Sequence, residues 1–290
     1  MTSHHSCLLS VLLLLLAALS SCSSNGDYSL SSESRLVVEA SIEAGEFPVV
    51  MLTRTVPVSS EYQDLSDLSK YVERWARVSI SDGEQEVVLV GRIDRSYTPA
   101  FVYTTSQMRG VAGRRYTIRI HCTDGFETEA VTEIPMEEAV VDRFSAERTA
   151  DSDTLYQVYA HIDTLRTTAR YLRLSEQHEL GKLGLLPSMF GIFSREMISQ
   201  GRVSVNRGRS NLFTGYTPFF SLNDTIVVRI SAISEEQYDY WRGFEDMIAL
   251  SRNPLFPVTD NLPGNLPGCA GYWFGAVSNY YLVPVRQLVE

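Results

Sequence analysis

Along most of the chain the apolar positions recur with a period of two. Leu36 to Ile42, Phe47 to Thr55 and Ala76 to Ile80 are short β-rich runs separated by turn residues. Asp82-Gly83 sets the third against Val87 to Val90 as a hairpin. Between Gly113 and Ile120 the residues alternate, with Tyr116, Ile118 and Ile120 on one face and Arg115, Thr117 and Arg119 on the other, which predicts a half-buried antiparallel strand. Asp124-Gly125 turns that strand into Phe126 to Ile134, and Pro135 closes the set. A second block of β-like runs follows: Val140 to Phe144, Tyr156 to Ile162, Tyr171 to Leu174 and Thr225 to Ile230.

Strands at roughly ten-residue spacing, with no helical pattern between them, predict a mainly β fold. The expected architecture is two β-sandwich-like (immunoglobulin-like) units, 35–138 and 139–290, meeting near Pro135 to Asp142. The polar insertion Glu61 to Arg74 is a place for a short helix, and Gly181 to Asn211, rich in Gly, Ser and Arg, carries no assignable period.

The period changes once, near 234–250. Ser234-Glu235-Glu236-Gln237 has the form of a capping box, in which the Ser hydroxyl accepts from the third helical amide and the Gln side chain reaches back. Tyr238, Trp241, Phe244, Glu245 and Ile248 follow at helical spacing, so an amphipathic helix is expected, ending before Asn253-Pro254. The stretch Asn253 to Gly268 then carries four prolines and the tandem Asn261-Leu262-Pro263-Gly264 and Asn265-Leu266-Pro267-Gly268, which reads as a structured loop. Two aromatic β-like runs, Tyr272 to Val277 and Tyr280 to Val285, finish the chain.

The N-terminus carries an address. Leu8 to Leu19 is an apolar run of about a dozen residues, too short to cross a hydrocarbon core of ~30 Å as a helix, and suited to the apolar part of an export signal. Leu19-Ser20-Ser21-Cys22 follows it and resembles the lipobox of bacterial lipoproteins, in which the signal (1–21) is removed and the cysteine is acylated. Lipidation is therefore expected at Cys22, although Met1 to Ser6 lacks the usual Lys or Arg. Several acyl chains would anchor the protein firmly, at roughly 0.8 kcal/mol per buried methylene. The polar stretch 22–34 reads as a flexible tether with a reach of about 20 Å.

Net charge narrows the partners. With 25 Lys and Arg against 35 Asp and Glu, the formal charge of −10 argues against a nucleic-acid surface. Of four cysteines, Cys7 leaves with the signal and Cys22 takes lipid. Cys122 and Cys269 remain, either bridged or as two buried free thiols. No CxxC pair, His-Glu-x-x-His helix, Gly-x-Ser-x-Gly elbow or phosphate-binding glycine loop occurs, so no metal or other cofactor is expected. His161 with Asp163, or His121 with Asp124, could in principle form part of a hydrolase or metal site, and satisfied or solvent-facing strand residues are their expected fate. No enzymatic activity is expected.

Several of these pieces together resemble one family. The lipoprotein cysteine, Leu36-Val37-Val38-Glu39-Ala40, the Gly-x-x-Tyr strand at Gly113, Ile233 to Trp241, Asn253-Pro254-Leu255-Phe256, Asn265-Leu266-Pro267-Gly268 and Gly271 to Ala276 are similar to the Bacteroidota lipoproteins known as domain of unknown function 4249. Tyr272-Trp273-Phe274 departs from the simpler Gly-Tyr-Phe of that pattern, and Cys269 is an addition to it. Members are usually encoded beside TonB-dependent outer-membrane receptors. The resemblance thus implies an outer-membrane accessory lipoprotein of a nutrient import system, with such a receptor as partner and no established enzymatic activity. The alternative from another class is a structural or adhesive surface lipoprotein, fimbria-like or in contact with a host.

Candidate binding residues are the aromatics Tyr238, Trp241, Tyr272 and Trp273, which could grip a peptide, a glycan or a partner protein, or instead dock the helix and fill the core. The loop Asn253 to Gly268 and the rings after it are expected to form a contact surface. Asp153-Thr154-Leu155, Asp163-Thr164-Leu165 and Asp224-Thr225-Ile226 match an Asp-Thr-apolar O-glycosylation acceptor at Thr154, Thr164 and Thr225, or are turn-forming Asp residues at strand ends.

Overall fold

A computed structural model describes residues 34–55, 69–178, 184–198, 201–208, 217–250, 262 and 264–289, with helical side chains to 247. The signal, Cys22, the tether, most of the 61–74 insertion and most of the 253–264 loop lie outside the described residues.

Sixteen strands and one α-helix are found among the described residues. In chain order the strands are β1 (Leu36–Glu43), β2 (Val49–Arg54), β3 (Arg77–Ser81), β4 (Glu86–Val88), β5 (Val90–Ile93), β6 (Phe101–Thr104), β7 (Arg115–His121) and β8 (Glu127–Glu133) in the first half. Then come β9 (Val141–Arg148), β10 (Leu155–Ile162), β11 (Tyr171–Gln177), β12 (Leu186–Ser194), β13 (Arg202–Val205), β14 (Phe220–Ser221) and β15 (Thr225–Ile233). Helix α1 (Glu235–Leu250) precedes the last strand, β16 (Ala270–Pro284). None of the described helices is long and apolar enough to cross a membrane, which does not bear on strands.

The strands build one eight-stranded sheet, ordered β12-β11-β15-β16-β1-β2-β6-β5, and two four-stranded sheets. Alternation decides what each face meets. The even residues of β1, Leu36, Val38, Ala40 and Ile42, enter a first core with Tyr116, Ile118 and Ile120 of β7. Ile226, Val228, Ile230 and Ala232 of β15 enter a second core with Tyr156, Val158 and Ala160 of β10. Each core is thus a sandwich between part of the large sheet and one smaller sheet, and the mainly β expectation is met.

The boundary expected near residue 138 falls between the strands of the two smaller sheets, but the first core also takes Leu266, Cys269 and Trp273 from the end of the chain, and one sheet serves both cores. β16 runs through both units: residues 270–276 lie parallel to β1, and residues 277–284 lie antiparallel to β15. On one face of this strand Trp273 belongs to the first core and Val283 to the second. The two predicted runs at its ends are therefore a single strand, and residues 34–290 form one compact unit.

Two further differences have local causes. Val87 to Val90 is not one strand. Leu89, buried and donating its N–H to the Val78 carbonyl, is where the chain crosses from the β3–β4 sheet to the large sheet, which β5 joins beside β6. The segment 181–211, without a sequence period, contains β12 and β13; Pro187, Gly191 and a register shift opposite Arg173 to Ser175 break the alternation there.

A charged patch on the outer face of the large sheet

The face of the large sheet turned away from the cores is built from the odd residues of β1, β11 and β15 and the even residues of β16. Register sets Glu39 beside Tyr272, Ser41 beside Phe274 and Glu43 beside Ala276. It continues with Ser231 beside Ser278 and Arg173, and Arg229 beside Tyr280 and Ser175. Helix α1 packs on β12 and β11 over part of this face. There Trp241, Tyr272, Phe274 and Ile192 form a third apolar cluster with Tyr238, Tyr240 and Phe244. Next to it the face is polar and charged, and further along it Val227 stands beside the exposed Leu282.

Ala276 and Tyr280, the strand neighbours of Glu43 and Arg229, are four residues apart on β16, about 13 Å at roughly 3.3 Å per residue. Yet Arg229 Nη1 lies 2.6 Å from Glu43 Oε1, and the Tyr280 hydroxyl donates to Glu43 Oε2 at 3.3 Å. These long side chains lean toward one another along the sheet. Beneath them are only small hydroxyls, Ser231 and Ser278, whose Oγ atoms are 2.7 Å apart. Arg229 Nη2 also donates to Ser175 Oγ at 3.1 Å. Burial pulls the Arg229 guanidinium down, but Glu43 and Tyr280 outweigh it and leave it above its ordinary value. Tyr97, on the turn between β5 and β6, is raised by burial and by Asp94, and also feels the charges of Arg229 and Glu43.

Arg173 is differently placed. Its guanidinium carbon lies 3.5 Å from the centre of the Trp241 ring, and its Nε is buried without a hydrogen-bond partner. Among the described residues no carboxylate comes within ion-pair distance of it. Burial, and then repulsion from Arg229, lower it to about 9, with Glu39, Glu43 and Glu245 opposing. Glu39 is the counterpart: its side chain reaches solvent, yet crowding by protein raises its carboxyl, and Arg173 and Arg229 only partly offset this. Glu245 of α1, half-buried beside the same helix face, is pushed up to about 7 by burial, against Arg242 and the Gly191 N–H.

Among the described residues, buried side-chain polar atoms without a hydrogen-bond partner belong to Arg173, Arg229, Gln237, Trp241 and Glu245, of which Glu245 Oε2 faces Arg242 Nη1 at 4.0 Å. All are on α1 or on the sheet face next to it.

Of the aromatics singled out from sequence, Trp241 and Tyr272 are buried together in the third cluster, with both rings near Tyr240. Burial pushes Tyr272 up to about 12. Tyr238 is half-buried, tilted against Tyr171 at 4.7 Å. Trp273 is a core residue, fully buried, with Nε1 donating to the Tyr116 carbonyl at 3.0 Å. A ring so placed offers no surface to a partner, and the expectation of contact through Trp273 is corrected. The end of the preceding loop is also structural. Asn265 Oδ1 accepts from the Trp273 N–H at 2.8 Å and Asn265 Nδ2 donates to the Trp273 carbonyl at 3.0 Å, standing in for a strand neighbour on the edge that β1 does not occupy. Leu266 is buried in the first core, and Thr128 Oγ1 donates to the Pro267 carbonyl at 3.0 Å.

Cys122 and Cys269 are both buried in the first core as free thiols, and burial pushes Cys122 up to about 11. Thr154 and Thr164 are exposed in the turns flanking β10, while Thr225 is half-buried at the start of β15. The aspartates before two of them are turn formers: Asp163 Oδ1 accepts from the Leu165 and Arg166 amides, and Asp224 Oδ2 from the Ser221 amide. His121 pairs with Glu127 at 2.9 Å on the surface, and His161 Nε2 lies 2.8 Å from Ser145 Oγ, so neither meets the aspartate paired with it from sequence. Among the described residues no group of three or more His, Cys, Asp or Glu is gathered that could hold a metal.

Sequence reasoning missed Glu39, Glu43, Arg173 and Arg229. The available signal was charge at outward-alternating positions of otherwise apolar strands, as in Val37-Val38-Glu39 and Val227-Val228-Arg229.

By fold this is a β-sandwich protein with two cores, one shared sheet and a single helix laid on that sheet's outer face. The family model described as Domain of unknown function (DUF4249) matches residues 24–279, and the chain belongs to that family. No curated protein matches it.

Proposed function

We propose that the protein is a lipid-anchored outer-membrane protein acting as the accessory binding component of a TonB-dependent nutrient import system. One observation supports binding above all: the unpartnered buried polar atoms of the described residues gather at α1 and the charged face beside it. Buried polar groups in folded proteins are nearly always satisfied, so exceptions concentrated in one place fit a site that a ligand completes. The lipobox at Cys22 and the polar tether after it support a body held at a membrane.

The test has two arms. Cys22→Ala should abolish lipid labelling and release the protein from the membrane fraction; unchanged labelling and fractionation would refute the anchor. Tagged wild-type protein, extracted in gentle detergent, should carry a TonB-dependent receptor in near-stoichiometric amount. Recovery as a homopolymer or on a host surface, with no receptor, would favour the adhesive reading instead.

A further inference from the structure

Trp75, on the approach to β3, is 80% exposed, whereas Trp241 and Trp273 are buried. Ile93, at the end of β5, is 75% exposed. One ring links the two sites: register sets Ile93 opposite Phe101 of β6, and the guanidinium carbon of Arg74, the residue before Trp75, lies 5.7 Å from the centre of the Phe101 ring. The segment is also held in place. The Tyr103 hydroxyl accepts from the Ala76 N–H at 3.1 Å and donates to the Glu73 carbonyl at 3.0 Å, which clamps the chain on both sides of Arg74-Trp75. Single exposed apolar residues are ordinary, but an indole fixed in water beside an exposed Ile and a half-buried Phe marks a contact surface.

The chain enters the first sandwich at this same end. Arg35 donates its N–H to Thr55 Oγ1 at 3.0 Å and accepts from the Thr55 N–H at 2.8 Å. Arg54, next to Thr55, pairs with Glu73 at 2.8 Å, and Glu73 adjoins Arg74 and Trp75. From here β1 runs away toward Glu43, and β16 continues in that direction into the second core. Ahead of Arg35 stands the tether, about a dozen residues from Cys22 with a reach of about 20 Å. Lipid on Cys22 would therefore hold this end, not the second core, at the bilayer. The charge here suits phosphate: Arg35 and Arg74 are exposed, Glu73 and Asp124 are both taken by Arg54, and Glu127 faces His121. Tryptophan is a side chain that settles at a membrane interface, its body apolar and its N–H wet. We infer that the rim of Trp75, Ile93 and Arg74 rests on a phospholipid surface, with the Trp75 ring and Ile93 at the boundary of headgroups and acyl chains. This deepens the proposed anchoring and rests on it, because the tether at Cys22 is what brings this end to lipid.

Tryptophan fluorescence of the full chain, mixed with vesicles of phosphatidylethanolamine and phosphatidylglycerol brominated in the acyl chains, tests the contact. Bromine quenches only an indole close to it, and Trp75 is the exposed one. Quenching is expected, and Trp75→Phe should lose it with an unchanged melting temperature. Ile93→Asp should lose most of it. Leu165→Asp, at a residue 94% exposed in the turn after β10, should keep it. Quenching that survives Trp75→Phe, or that Leu165→Asp loses as well, overturns the contact. Vesicle flotation and lipid labelling of Cys22, read on the same samples, separate the two readings. Labelled protein that floats without quenching overturns the contact and leaves the anchor standing, as when a receptor instead of lipid covers this rim. Unlabelled protein that is still quenched keeps the contact and removes the anchor, and protein neither labelled nor floating overturns both.

Discussion

The Arg173 guanidinium lies flat against the Trp241 ring at 3.5 Å and so joins strand β11 to helix α1 across the outer face of the large sheet. Such contacts contribute about 0.5–2 kcal/mol, the upper end when desolvated. A double-mutant cycle with Arg173→Met and Trp241→Leu, followed by urea denaturation, should give a coupling within that range. A coupling near zero would mean that the helix docks through Phe274 and Tyr272 alone.

Trp273→Ala removes a fully buried ring and the hydrogen bond from its Nε1 to the Tyr116 carbonyl. The expected loss is about 3–5 kcal/mol, read from the shift of the denaturation midpoint. A loss below about 1 kcal/mol, the ordinary range of surface substitutions, would return Trp273 to the list of contact residues.

Glu245 gives stability a pH dependence. Its folded pKa, pushed up to about 7 by burial, lies above its ordinary value, so the folded state binds this proton more tightly than the unfolded chain does. The associated stabilisation is complete below the unfolded value and is lost as pH rises through about 7. The melting temperature of the wild type should therefore carry a component that falls between pH 5 and pH 8, in the range of these values. Glu245→Gln should flatten that component and be the more stable protein at pH 8; parallel pH profiles for the two would refute the assignment.

Both core thiols should be present and slow to react. Native protein without reductant should resist a thiol reagent at neutral pH, because Cys122 is buried and its thiol is pushed up to about 11. Unfolded protein should take up the reagent at both Cys122 and Cys269. Unfolded chains in which neither reacts until a reductant is added would mean a bridge.

What sequence made legible was decided by alternation. Tyr116, Ile118 and Ile120 alternate cleanly because one face of β7 is core and the other is water, and the structure places them as read. β16 has buried residues on both faces between Tyr272 and Ala276, so its period vanishes and its aromatics look like a contact surface. The capping box was half right. Ser234 Oγ accepts from the Gln237 N–H at 3.3 Å, but Gln237 is buried and its Nε2 approaches Thr132 Oγ1 at 3.5 Å instead of reaching back. The charged patch was not legible. Glu39, Glu43, Arg173 and Arg229 come from three strands that are far apart in sequence, and only sheet order brings them to one face. Gly271 is a similar case: φ is +105° and an added Cβ would stand 1.9 Å from the Val38 carbonyl oxygen, a constraint set by the parallel β1 neighbour.

The parallel pairing of β1 with β16 also imposes an order of events. A chain that emerges from the ribosome or a translocation pore N-terminus first shows β1 early, yet the strand that covers one of its edges begins only at Ala270. Until then the first sandwich lacks Trp273 and presents an open strand edge, the feature through which β-proteins associate wrongly. Chains stalled or truncated before residue 270 should therefore be clients of holdase chaperones and targets of proteases, and loss of even a short C-terminal segment should be felt at the opposite end of the sequence.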